Sequence, residues 1–148
     1  MSFFVNASQE EAFRLMIDYF TGRHMKIPTS NSPSYVEAEF GSLITLSLDN
    51  AKGKVKLNVV KSNGGAYANL NLDFSLEYLA ALILTIIGVL ITYIYYTMLE
   101  FPFWYTLLIM LPIFILVWGL VGYSVTLTRR KIIEEFNMFI QSLASKKD

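Results

Sequence analysis

The chain has 148 residues, balances 12 lysines and arginines against 12 aspartates and glutamates, and contains no cysteine. That composition excludes disulfides, thiolate metal sites and cysteine nucleophiles, and it offers no net field or basic stripe for nucleic acid. Apolar residues reach 54% and charged ones only 16%, against roughly 25% charged in an average soluble domain; between Glu77 and Arg129 the only charge is Glu100.

The opening reads as a small mixed domain over residues 1–75. Phe3-Phe4-Val5 is too short an apolar run for a secretory leader. Ser8 with Glu11 three residues on forms a capping box, and Ala12, Leu15, Met16, Tyr19 and Phe20 follow helical spacing until Gly22 stops the run. Asn6-Ala7-Ser8 matches a glycosylation sequon, but Ser8 is better explained as the helix cap. After Pro28 and Pro33 the period becomes two: Val36, Ala38 and Phe40 alternate with Tyr35, Glu37 and Glu39, a strand ending at Gly41. Leu43–Leu48 is apolar enough for a further short strand of unclear register. Val55, Leu57 and Val59 then alternate with Lys54, Lys56 and Asn58, and Asn63-Gly64 supplies a hairpin turn. Ala66, Ala68, Leu70, Leu72 and Phe74 alternate on the return. A two-residue loop sets Leu57 opposite Leu70, Val59 opposite Ala68, Asn58 opposite Asn69 and Lys54 opposite Asp73.

Residues 76–128 read as a transmembrane hairpin with spans at about 76–98 and 103–128. Tyr78–Leu99 and Phe101–Thr128 are uncharged; as helices they extend roughly 33 and 42 Å, against a hydrocarbon core of about 30 Å. Ser75 is the expected N-cap of the first span, with Glu77 favourable in its first turn. Glu100 and Pro102 sit where the chain must reverse, inside an aromatic belt running from Tyr93 to Tyr105. Pro112 should kink the second span mildly. Ala81, Thr85, Gly88 and Thr92 share one stripe of the first helix, and Gly119, Gly122 and Thr126 share one stripe of the second. Small residues let helices approach closely, either within this hairpin or against another subunit. Arg129, Arg130 and Lys131 follow the second span, whereas the loop between spans holds no lysine or arginine. The bias places both termini in the cytoplasm of a multi-pass cell-membrane protein. The same trio is a candidate contact for lipid headgroups. Over residues 129–148, Ile132, Ile133, Phe136, Phe139, Ile140 and Leu143 form one apolar helix face that must cover its own sheet, a partner or the membrane surface.

The fold expected is therefore α+β: a helix with three to four antiparallel strands, joined to a two-helix hairpin and a C-terminal amphipathic helix. The opening "FFVNASQEEAFRLMIDYF", the antiparallel sheet and the last amphipathic helix resemble START-like ligand-binding domains. The resemblance covers the opening and closing elements, and the hairpin interrupts it. It implies a ligand cavity between sheet and terminal helix.

Chemistry-bearing constellations are sparse. His24 is the only histidine and has no neighbouring ligand spacing. Glu37 and Glu39 could pair as acid and base or hold a cation, but fit a solvated strand edge. The glycine-containing turns lack the phosphate-cradle spacing of a P-loop, and the spans hold no charge pair or acidic relay of a transporter. The reading is a non-enzymatic protein without metal or cofactor, acting by association with membrane lipids and membrane-protein partners. It would serve as an accessory or scaffold subunit or as a homo-oligomer. The alternative is a membrane-tethered sensor that binds an apolar ligand or lipid. An apolar cavity between sheet and helix would favour the sensor, and a solid core the scaffold.

Overall fold

The computed structural model describes residues 1–43 and 48–145. Within them lie β1 (Ser2–Val5), α1 (Gln9–Gly22), β2 (Lys26–Asn31), β3 (Tyr35–Phe40), β4 (Gly53–Ser62), β5 (Gly65–Asp73), α2 (Ser75–Met98) and α3 (Phe103–Ser145). The fold is α+β. Its antiparallel sheet has five strands in the order β1-β5-β4-β3-β2, so β1 and β2 form opposite edges.

The β4–β5 hairpin has the register the alternation predicts. Leu57 faces Leu70, Val59 faces Ala68, Asn58 faces Asn69 and Lys54 faces Asp73. Ser62 and Gly65 close the ladder around Asn63-Gly64, and Gly64 takes φ +88°, a region that favours glycine.

The five strands exceed the three or four expected, and the two that the sequence reading did not include, β1 and β2, are both edges. β1 pairs with β5 from Ser2↔Asn69 to Val5↔Ala66, and the terminal ammonium adds a hydrogen bond to the Leu70 carbonyl at 3.0 Å. Phe4 on its outer side had hidden the alternation; it stacks edge-on against Tyr67. β2 is polar and contains Pro28, which suits an edge, and its pairing with β3 shifts register between Lys26 and Thr29. β3 is consequently an inner strand. Most of the stretch Leu43–Leu48 falls outside the described residues.

One face of the sheet is apolar and is covered by both α1 and α3. Phe20, Phe136, Met16, Leu57, Val36, Val55 and Val59 fill this layer with less than 2% exposure each. The Ser8 hydroxyl caps α1 by accepting the Glu11 N–H at 3.2 Å. Phe13, rather than Leu15, goes into the core beside Ala12, Met16 and Phe20. α1 ends at Gly22, as the spacing predicts, but the left-handed residue of the ending is His24, φ +55°, where the His24 and Met25 N–H groups close back on the Thr21 and Phe20 carbonyls. That is a Schellman ending with histidine in the place glycine usually takes.

α2 and α3 form an apolar antiparallel hairpin, and both helices are long and apolar enough to cross a membrane. Their turn repeats the same ending, with Glu100 at φ +58° and the Phe101 N–H on the Tyr96 carbonyl at 3.1 Å. Ser75 is the first helical residue of α2 and not its cap; the Asp73 carboxylate accepts its N–H at 3.0 Å. α3 continues through Pro112 and without a break from the apolar hairpin to the domain.

Candidate functional site

The junction between the domain and the apolar hairpin holds two hydrogen bonds to buried side chains. The backbone N–H of Ala51 donates to the Thr128 hydroxyl at 3.0 Å, and the next N–H, of Lys52, donates to the Glu77 carboxylate at 3.1 Å. Thr128 is 2% exposed and Glu77 8%. The approach to β4 is thus tied to the start of α2 and to the point in α3 where the uncharged run ends. Gly41 takes φ +69°, and a Cβ there would run into the carbonyls of Asn50 and Ala51, so glycine lets the end of β3 lie against this segment.

A stripe of α3 crosses the junction unchanged. Val125, Thr128, Ile132 and Phe136 recur at steps of three and four and are all buried. Phe136 meets Phe3 at 5.0 Å and Tyr19 at 5.5 Å between ring centres; Phe139 lies 4.5 Å from Tyr19. Ile133, Phe139, Ile140 and Leu143 are partly buried. The amphipathic face predicted for a partner, the membrane or its own sheet therefore covers its own domain.

The small-residue stripes behave differently from each other. In α2, Ala81 is buried and Thr85, Gly88 and Thr92 are partly covered; a Cβ on Gly88 would sit 3.7 Å from the Met110 Cε. That stripe faces α3. In α3, a Cβ on Gly119 or Gly122 would meet nothing within 4 Å, and Thr126 is exposed. The second stripe faces away from α2. The hydroxyls of Thr85, Thr92 and Thr126 each donate at 2.8 Å to the carbonyl four residues earlier, so these three hydroxyls are satisfied within their own helices.

Of the basic trio, Arg129 and Arg130 are exposed, and Arg130 pairs with Glu134 one turn on. Lys131 reaches Asp49 at 2.6 Å. Arg23, at the end of α1, pairs with Glu135 of α3 at 2.7 Å and lies over the Tyr19 ring.

The outer face of the sheet carries a charge ladder. Lys54 bonds Glu37 at 2.8 Å and approaches Glu39 at 3.4 Å, while Lys56 bonds Asp73 at 2.8 Å. The Lys54 hydrogen bonds hold both glutamates below the usual carboxylate range. These carboxylates are engaged by Lys54 and Lys56 of the inner strand β4. Among the described residues no group of three metal-binding side chains converges.

Comparison with protein-family models, with curated proteins and with solved structures finds no match to this chain. In the layer where a START-like domain would hold a ligand, the large side chains named above are packed into one core.

Proposed function

We propose that this chain is a two-span membrane protein that acts by association, as an accessory or scaffold subunit or as a homo-oligomer. α2 and α3 would cross the bilayer, with both termini on the cytoplasmic side and the domain standing on the α3 rod. The observation that carries the reading is the orientation of the α3 stripe: Gly119 and Gly122 look into open space on an apolar helix, while the α2 stripe is already used within the hairpin. Between lipid-facing helices, association depends on close backbone packing, and small residues permit it. The packed layer between sheet and helices weighs against the alternative of a sensor with an apolar ligand in its core.

The geometry makes a clean test available. A Cβ at Gly119 or Gly122 meets nothing within 4 Å in its own chain, so Gly119→Leu/Gly122→Leu should unfold near the wild-type temperature. In native mass spectrometry from mild detergent, the wild type should appear in particles of more than one membrane chain, and the double variant as a single chain. Gly88→Leu should instead press on Met110 and loosen the hairpin itself. A wild type that runs as a lone chain in several mild detergents, or a double variant with unchanged assembly, would overturn the proposal.

A further inference from the structure

A recess of about 280 Å³ opens where the C-terminal end of α1, the end of β3, residues Asp49 and Asn50, and α3 come together. Thr128 and Ile132 of α3 line it, so it begins where the uncharged run of that helix gives way to Arg129. If α3 spans the bilayer as proposed above, this is the depth of the lipid headgroups. The recess is lined by Arg23, His24 and Lys131, together with Asp49 and Glu135. Met25, Phe40 and Ile132 give it an apolar wall. Leu48, the residue before Asp49, is 43% exposed.

We infer that this recess binds the phosphate of a membrane phospholipid headgroup. Arg23 and Lys131 come from distant parts of the chain and are brought to one cavity, where Arg23 pairs with Glu135 and Lys131 with Asp49. Both cations keep much of their side chain in solvent, at 44% for Arg23 and 50% for Lys131. Exposed ion pairs of this kind hold weakly, and a phosphate ester offers both cations a stronger, charge-assisted acceptor. A guanidinium can grip it with two donors while the ammonium supplies a second charge. The left-handed backbone at His24 carries that side chain to the same rim. The apolar wall of Met25, Phe40 and Ile132 suits the glycerol and upper acyl region, which a soluble phosphate lacks. This site differs from general headgroup attraction by Arg129 and Arg130, which lie outside the recess.

The test uses the purified full chain, delipidated in mild detergent and titrated with phosphatidylglycerol, with diacylglycerol of the same chains, or with glycerol 3-phosphate, read by native mass spectrometry. One phosphatidylglycerol per chain should be retained and no diacylglycerol. Arg23→Gln/Lys131→Gln should reduce retention at least tenfold, while Arg14→Gln/Lys61→Gln, the same charge loss on exposed sites elsewhere, should leave it unchanged. Asp49→Asn/Glu135→Gln breaks the same two ion pairs but keeps the cations, and should retain the lipid at least as well as wild type. Equal loss in that variant would show that the pairs matter only for local structure, and would overturn the inference. Retention of diacylglycerol, or displacement of the lipid by equimolar glycerol 3-phosphate, would overturn it as well. Lipids per chain and chains per particle are separate readings of one spectrum, so failure here and failure of the association proposal are distinguishable.

Discussion

The Thr128 hydroxyl accepts the backbone N–H of Ala51 at 3.0 Å across 77 positions of sequence, in a buried setting. Removing the hydroxyl while keeping the shape leaves that N–H without its acceptor, which costs about 1–3 kcal/mol. Thr128→Val should therefore lower the unfolding midpoint, and Thr128→Ser should recover most of the loss. Circular dichroism of the three proteins in one detergent checks this; equal stability of Thr128→Val and wild type would show that the contact contributes nothing.

Gly64 differs from a packed glycine because its requirement is purely conformational: φ is +88° and a Cβ would touch nothing within 4 Å. Gly64→Val should cost about 1 kcal/mol or more, since a branched side chain resists positive φ. Gly64→Asn should cost less, because asparagine visits the left-handed region more readily. Denaturant midpoints that rank asparagine at or below valine would contradict the conformational account.

Asp73 links stability to pH. The Lys56 hydrogen bond, followed by those from the Ser75 backbone and side chain, lowers its carboxyl from 3.8 to about 2. A carboxyl depressed in the folded state contributes stability that is complete above its unfolded pKa and is lost as pH falls through the folded one. The Asp73 contribution should thus disappear between pH 3.8 and about 2. Asp73→Asn should be less stable than wild type at neutral pH, and the difference should shrink across that window. Glu37 and Glu39, also held low by Lys54, leave a residual acid slope in the variant. Unfolding midpoints measured from pH 7 to pH 2 would expose a gap that stays constant, which is the outcome inconsistent with this linkage.

The topology proposed from Arg129, Arg130 and Lys131 is open to direct labelling, because the chain has no native cysteine. Single cysteines at Asn137 and Pro102, both exposed, should differ in intact cells. An impermeant maleimide should modify Pro102→Cys and should reach Asn137→Cys only after the membrane is opened. The reverse pattern would place the domain outside.

Local chemistry is what the sequence by itself determined. The Asn63-Gly64 turn with its flanking alternation specified the β4–β5 register, because a turn of two residues leaves only one pairing that keeps Leu57 and Leu70 on the buried side. Likewise the spacing of Ile132, Phe136 and Phe139 defined a face, and the uncharged stretches defined two long helices. Tertiary structure alone decided what depends on the partner across space. β1 and β2 are edge strands: the exposed Phe4 masks the alternation of the short β1, and β2 is polar along most of its length. α1 does end at Gly22, but the left-handed residues that close the two helices are His24 and Glu100, non-glycine positions that carry no such signal in the sequence. A stripe of small residues has the same spacing whichever way it points. Only the packing of α2 on α3 turned Gly88 inward and left Gly119 and Gly122 facing out. The meeting of Arg23 with Lys131 at one recess likewise has no local signature, since two cations more than a hundred positions apart are joined only by the way α1 and α3 share one face of the sheet.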